Sequence, residues 1–210
     1  MTRPASERVL IEGAAGPIET VIDFPAAAPR GIALVAHPHP LFGGSLDNKV
    51  AQTLARVFYE MGYTALRPNF RGVGASGGAH DEGRGETDDL VKVLDYARTR
   101  FGDLPIALAG FSFGAFVQTR VAKRVAPARM VLVGTSVTRS SPETVPANTI
   151  LIHGELDETV PLAEVMAWAL PQELPVVVIP GADHFFHRRL HIIRNIVSSA
   201  WQANRQVHPA

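Results

Sequence analysis

Short apolar runs recur along the chain and alternate with longer stretches whose apolar positions repeat at a helical period. Arg8–Glu12 and Ile18–Asp23 flank the turn sequence Gly13-Ala-Ala-Gly-Pro17 and predict a two-stranded hairpin. Six further runs predict buried strands: Ile32–Ala36, Tyr63–Arg67, Ile106–Phe111, Met130–Val133, Thr149–His153 and Val176–Ile179. Most are apolar throughout rather than alternating, as expected of strands covered on both faces. Between them, Leu46–Tyr59 repeats Val50, Leu54 and Val57 behind Ser45, a candidate N-cap. Thr87–Phe101 sets Leu90, Leu94, Ala97 and Phe101 on one face, and Phe113–Arg124, Leu162–Leu170 and Phe186–Ala200 complete the helices. Strands alternating with helices imply βα units and right-handed crossovers. The expected fold is therefore α/β: about eight strands in a mostly parallel, doubly wound sheet, helices on both faces, and an antiparallel hairpin at the start.

Composition narrows the partners. With 210 residues, 46% hydrophobic and 19% charged, the chain can bury a core as a single domain, with residues from about 205 to 210 as a loose tail. Twenty basic residues offset twenty acidic ones, which leaves no basic excess for nucleic acid or an acidic membrane surface. There is no cysteine, which excludes a disulfide framework, a thiolate metal site and a cysteine nucleophile. The N-terminus lacks a secretory-signal pattern, and no apolar run approaches the ~20 residues that span a bilayer. The expected compartment is the cytoplasm, without a membrane partner.

The pattern Gly-x-Ser-x-Gly occurs twice, at Gly74–Gly78 around Ser76 and at Gly110–Gly114 around Ser112. It carries chemistry only at a sharp strand-to-helix turn, which lifts the hydroxyl above the sheet edge. Ser112 follows the apolar run Ile106–Phe111 and precedes a helical segment, so it is the candidate nucleophile. Ser76 sits in polar, glycine-rich sequence and reads as a loop-shaping residue. The same loop contains Gly72-x-Gly74-x-x-Gly77, which imitates a dinucleotide fingerprint. A phosphate loop needs a helix to begin at the third glycine, and the sequence supplies none there; no cofactor is expected.

A serine nucleophile needs an imidazole to take its proton and a carboxylate to fix that imidazole. On an α/β sheet the chain order is Ser, acid, His. His184 directly follows the last strand, in Pro180-Gly-Ala-Asp-His-Phe-Phe186, and is the candidate base. His187 and His191, four apart on a predicted helix, read as polar surface residues, because no third metal ligand accompanies them. After the strand ending at His153 come Glu155, Asp157 and Glu158. Asp157 is far enough from the strand to turn back over the sheet and is the candidate acid. Asp183 neighbours His184, but adjacent side chains rarely point at each other. For the developing oxyanion, the first expected donor is the N–H of Phe113 and the second lies in the loop Ala36-His-Pro-His-Pro-Leu-Phe-Gly-Gly44. Pro38 and Pro40 have no N–H, which leaves His39, with Leu41 as the alternative.

With Ser112, Asp157 and His184 in this order, the sequence resembles the α/β-hydrolase superfamily. It is most similar to small bacterial hydrolases described as predicted carboxylesterases or dienelactone-hydrolase-like proteins. The resemblance rests on His37–Val50, Asn69–Ser76, the turn at 110–114, His153–Pro161 and Gly181–Phe185. It implies serine hydrolysis of a small-molecule ester or thioester. Two departures stand out: His37-Pro38 replaces the His-Gly of many relatives, and dienelactone hydrolases proper use a cysteine. Relatives with a cap insert it where this chain has only Ser136–Asn148, thirteen residues, so a cap domain is not expected. The expected site is an open apolar groove lined by Leu41, Phe42, Phe113 and Phe185, suited to short or medium acyl esters. An acyl thioesterase, and a catalytically silent binding protein on the same fold, are the alternatives.

Overall fold

The computed structural model describes residues 5–207. Strands β1 (Ala5–Gly13) and β2 (Gly16–Phe24) form the antiparallel hairpin, joined by Ala14 and Ala15. The remaining strands are β3 (Ile32–Ala36), β4 (Thr64–Pro68), β5 (Ile106–Phe111), β6 (Arg129–Val133), β7 (Ile150–Gly154) and β8 (Val176–Ile179). They form one eight-stranded sheet in the order β1-β2-β4-β3-β5-β6-β7-β8, antiparallel from β1 to β4 and parallel thereafter. The expected strands are all present, with ends shifted by up to three residues.

Five helices cover the sheet: α1 (Lys49–Glu60), α2 (Arg84–Phe101), α3 (Phe113–Val125), α4 (Leu162–Ala169) and α5 (Leu190–Val207). Alternation along the strands divides the core. Ile32, Leu34 and Ala36 pack with Leu90, Leu94, Val117 and Val165 of α2, α3 and α4. Ala33, Val35, Ala107 and Ala109 face α1 and α5. The small side chains on this second face make room for Phe58, Tyr63 and Trp201, whose rings meet edge-on at 5.0–5.9 Å. Arg129 of β6 donates to the Ala200 carbonyl and lies over the Trp201 ring, so α5 is held at its distal part.

Three helix starts differ from the sequence expectation. Asn48, not Ser45, caps α1: its side chain accepts from the N–H groups of Val50 and Ala51, while Ser45 opens a preceding turn. Helix α2 begins at Arg84 rather than Thr87, because the buried Glu86 carboxylate accepts from the N–H groups of Gly83 and Asp81 and secures an extra turn. Helix α5 begins at Leu190 rather than Phe186. Phe186 and Arg188 have φ of 54° and 60°, which breaks the helix, although Phe186 still fills a core position at the expected spacing. The same helix continues through 205–207, which were expected to be loose; residues 208–210 lie outside the described residues.

Phe58 is fully buried at the α1–α5 contact, so Phe58→Ala should lower the free energy of unfolding by about 3–5 kcal/mol, measured by urea denaturation. Leu10→Ala on the outer strand, where Leu10 is 61% exposed, should stay within about 0.5 kcal/mol of the parent.

Candidate functional site

Ser112 occupies the turn between β5 and α3 with φ 55° and ψ −117°, a backbone conformation costly for a side chain with a Cβ. Two glycines permit it. A Cβ on Gly110 would lie 2.6 Å from the Gly114 carbonyl and the Ala115 nitrogen, and one on Gly114 would lie 2.4 Å from the His37 carbonyl oxygen. The turn is pinned by Ser112 N–H to the Val133 carbonyl at 2.9 Å, and by the buried Gln118 amide, which donates to the carbonyls of Leu34 and Ala109.

Ser112, His184 and Asp157 join in one hydrogen-bonded chain. His184 Nε2 lies 3.0 Å from Ser112 Oγ, and Nδ1 lies 2.7 Å from Asp157 Oδ2. With Asp157 ionised, Nδ1 carries the proton and Nε2 accepts the serine hydroxyl. The other carboxylate oxygen, Oδ1, accepts from the N–H groups of Thr159 and Val160 at 3.0 and 2.8 Å, which orients Asp157. Beneath it, fully buried His153 donates to the Val160 carbonyl and stands 3.5 Å from Asp157 Oδ2; burial pushes its pKa down, so it stays neutral there. The His184 ring packs on Phe111 at 5.1 Å and meets Phe185 edge-on at 5.3 Å.

The competing residues go elsewhere. Ser76 Oγ is buried between the Glu19 N–H and the Asn69 carbonyl. The glycine loop closes on itself, Gly72 N–H to the Gly77 carbonyl, and α2 starts only at Arg84, so no helix end faces Gly77. Glu155 accepts from the Gly181 N–H, and Asp183 pairs with His187, which holds the Asp183 carboxyl below the usual range. His187 precedes α5, so His187 and His191 do not share a helix face as expected. Among the described residues, no group of three or more His, Cys, Asp or Glu is arranged to hold a metal, and no helix is long and apolar enough to cross a membrane.

The loop after β3 lies against the turn. His37 is fully buried: its Nδ1 donates to the Pro38 carbonyl at 2.7 Å and its Nε2 accepts the Phe70 N–H at 2.9 Å. The His39 ring packs against Phe42, His80 and Phe113 at 4.6–4.8 Å, and its Nδ1 accepts the Leu41 N–H at 3.2 Å. That bond occupies the Leu41 donor. Among the described residues, the N–H groups of His39 and of Phe113, the first residue of α3, have no acceptor.

Ser112 opens onto a cleft of about 670 Å³ that it shares with His39, Leu41, Phe42 and Phe113. Leu41 and Phe42 stand 69% and 74% exposed at its edge. Two features differ from the expected apolar groove. Phe185 does not line this cleft; it borders a separate depression with Asn48, Lys49 and Phe186, behind His184. Polar side chains line much of the wall, including His80, Arg84, Arg120, Arg139 and Ser136, none of which the sequence singled out. Arg120 lies on the α3 face that carries Phe113 and Phe116, a spacing of three and four residues that the sequence contained.

Known proteins share this fold. A family model described as alpha/beta hydrolase fold matches residues 39–148. A solved alpha-beta serine hydrolase homologue from Coxiella burnetii is 37% identical, covers 92% of this chain and 96% of its own, and superposes with a TM-score of 0.83. A serine hydrolase without lid from Xanthomonas campestris is 34% identical over 100% of this chain and 98% of its own, with a TM-score of 0.90. A lysophosphatidylserine lipase from Gallus gallus is 36% identical over 72 residues, 34% of this chain and 19% of the lipase. The chain spans 40% or less of the length of the curated relatives it matches.

Burial pushes the His37 pKa down to about 4, against the opposing pull of the Pro38 carbonyl. The unfolded chain takes up this proton near the ordinary ~6.5, the folded chain only near 4, so the group's stabilisation is complete above 6.5 and lost as pH falls towards 4. His37→Gln should therefore be less stable than the parent at pH 7.5, and urea titrations should show the gap narrowing by up to about 3 kcal/mol on acidification to pH 4. An unchanged gap would mean that His37 is not held neutral.

Proposed function

The chain belongs to the α/β-hydrolase family, and from that premise we propose that it hydrolyses carboxylic esters of short to medium acyl chain through an acyl-serine intermediate. One observation carries the reading: the unbroken hydrogen-bonded path from Ser112 Oγ through His184 to Asp157, beside two N–H groups without acceptors. Serine-hydrolase homologues of nearly full coverage, and a protein named as a lipase over a shorter segment, support ester cleavage.

In this mechanism Ser112 Oγ attacks the ester carbonyl carbon as its proton passes to His184 Nε2. Asp157 holds the Nδ1 proton and stabilises the imidazolium. The former carbonyl oxygen gains negative charge and accepts from the N–H groups of Phe113 and His39; donors in such positions contribute on the order of 2.7–4 kcal/mol each. Collapse of the tetrahedral species breaks the C–O bond, and the alcohol leaves with the proton from Nε2. Water then attacks the acyl-serine with His184 as base, which releases the carboxylic acid and restores the serine. Segment 136–148, with neither helix nor strand, leaves the cleft uncovered, which suits acyl groups short enough to lie within it.

A fluorophosphonate probe should label Ser112 in the parent and leave Ser112→Ala unlabelled. An unlabelled, inactive parent would favour a ligand-binding protein on this fold. Asp157→Ala should lower kcat by about 10⁴-fold, while Glu155→Ala stays near parental; the reverse result reassigns the acid. Across p-nitrophenyl esters from acetate to palmitate, kcat/KM should decline on the longer chains, and an optimum at palmitate would reject the chain-length assignment. A matched acyl-thioester series tests the same residues, and a strong thioester preference would replace the ester assignment.

A further inference from the structure

The charge of the cleft departs from that of the chain. Three arginines, Arg84, Arg120 and Arg139, line it against one glutamate, Glu82, in a protein whose formal charge is zero. Arg84 is engaged by Asp81 and Glu82 at 2.8 and 3.2 Å. Among the described residues Arg120 and Arg139 have no carboxylate partner. Arg124, one turn beyond Arg120 on the same helix, does pair, with Asp88. Two guanidinium groups on the wall that carries Ser112 thus have no carboxylate within ion-pair distance.

Their placement is specific. Residues 113, 116 and 120 share one face of α3: Phe113 packs on Phe116 at 5.7 Å, and the Arg120 guanidinium lies over the Phe116 ring at 5.5 Å. A guanidinium held on an aromatic ring is oriented before a ligand arrives, and its N–H donors suit the paired oxygens of a carboxylate or phosphate. Arg139 lines the same cleft from segment 136–148, close enough that its charge helps lower the His39 pKa, behind burial and His80 and against the larger opposing effect of Glu86. Arg120 lies eight residues along the helix from Ser112, about 12 Å, and helical side chains lean back towards the N-terminus by about a turn. Along the helix axis, an anion received there lies at least roughly 7 Å from a carbonyl carbon at Ser112, a span of about five or six single bonds.

We propose that the preferred substrates are esters bearing an anionic group, a carboxylate or a phosphate, about five or six bonds from the scissile carbonyl, and that Arg120 and Arg139 receive that anion. This rests on the serine-hydrolase reading above and adds the substrate class that the sequence analysis did not foresee. Neutral esters of equal length would fill the same space without meeting either guanidinium.

The test compares matched pairs on the full chain: mono-p-nitrophenyl adipate against p-nitrophenyl hexanoate for the carboxylate, and butyryl-glycerol phosphate against monobutyrin for the phosphate. At least one anionic member should exceed its neutral partner by tenfold or more in kcat/KM at low salt, chiefly through KM. That ratio should fall towards one in 0.5 M NaCl and in the Arg120→Met/Arg139→Met double variant, with Arg120→Lys intermediate. The pair that responds identifies a carboxylate on the acyl side or a phosphate on the alcohol side. Equal rates within both pairs, or a ratio that survives both salt and the double variant, would overturn the proposal while Ser112 still labels with fluorophosphonate. Absence of labelling together with absence of turnover would instead overturn the serine-hydrolase reading, and this inference with it. Should the double variant fail to fold by circular dichroism, the salt dependence of the parent ratio decides alone.

Discussion

At φ 55° and ψ −117°, Ser112 holds a side-chain-bearing residue where such residues rarely sit, at a cost of order 1–3 kcal/mol. The surroundings leave it no alternative. Strand β5 is central in the parallel part of the sheet, α3 is bound to it by the buried Gln118 amide, and Gly114 brings the first turn of α3 against the carbonyls of Ala36 and His37. One constrained turn therefore fixes three things together: the height of the hydroxyl above the sheet, the direction of the Phe113 N–H and the distance to the loop after β3. A relaxed turn at this position would separate all three.

The loops around that turn are held by buried polar groups rather than by apolar packing. His37 bridges the Pro38 carbonyl and the Phe70 N–H, and Glu19 accepts from Asn69 and the Ala75 N–H while pairing with Arg8. Asn69 in turn accepts the Leu46 N–H, and Arg67 donates to the Leu46 carbonyl while paired with Asp23. Each such group gains little on balance but costs about 1–3 kcal/mol if left without its partner, so the loops have few alternative arrangements. Rigidity at this end of the sheet is thus a matter of hydrogen-bond satisfaction, whereas the two faces below it are held by shape.

Much of this was legible in the residue order. Among the described residues, apolar runs located the eight strands and helical periodicity the five α-helices, and the strand-turn-helix context separated Ser112 from Ser76. The spacing after β7 and β8 singled out Asp157 and His184, which the fold brings within hydrogen-bond reach of each other. The failures have local causes. Phe186 keeps the spacing of a helical core residue while its backbone turns left-handed, so the start of α5 was misplaced. Whether His39 or Leu41 keeps a free N–H depends on the His39 ring capturing the Leu41 donor, a side-chain event without a sequence signature. Phe185 lies outside the cleft it was expected to line, and Arg120 carried no expectation, because sequence pattern gives the face of an element and not the neighbour across from it.

The edge-on stack of Trp201 with Phe58 and Tyr63 has a bearing on residues far from it. His184 stands on a short span between β8 and α5, anchored upstream by the sheet and downstream by buried Phe186, which packs on Phe111, and then by that helix. The indole is therefore a distant strut that reinforces Phe186 in steadying the helical end of the span, although no atom of the stack approaches the imidazole.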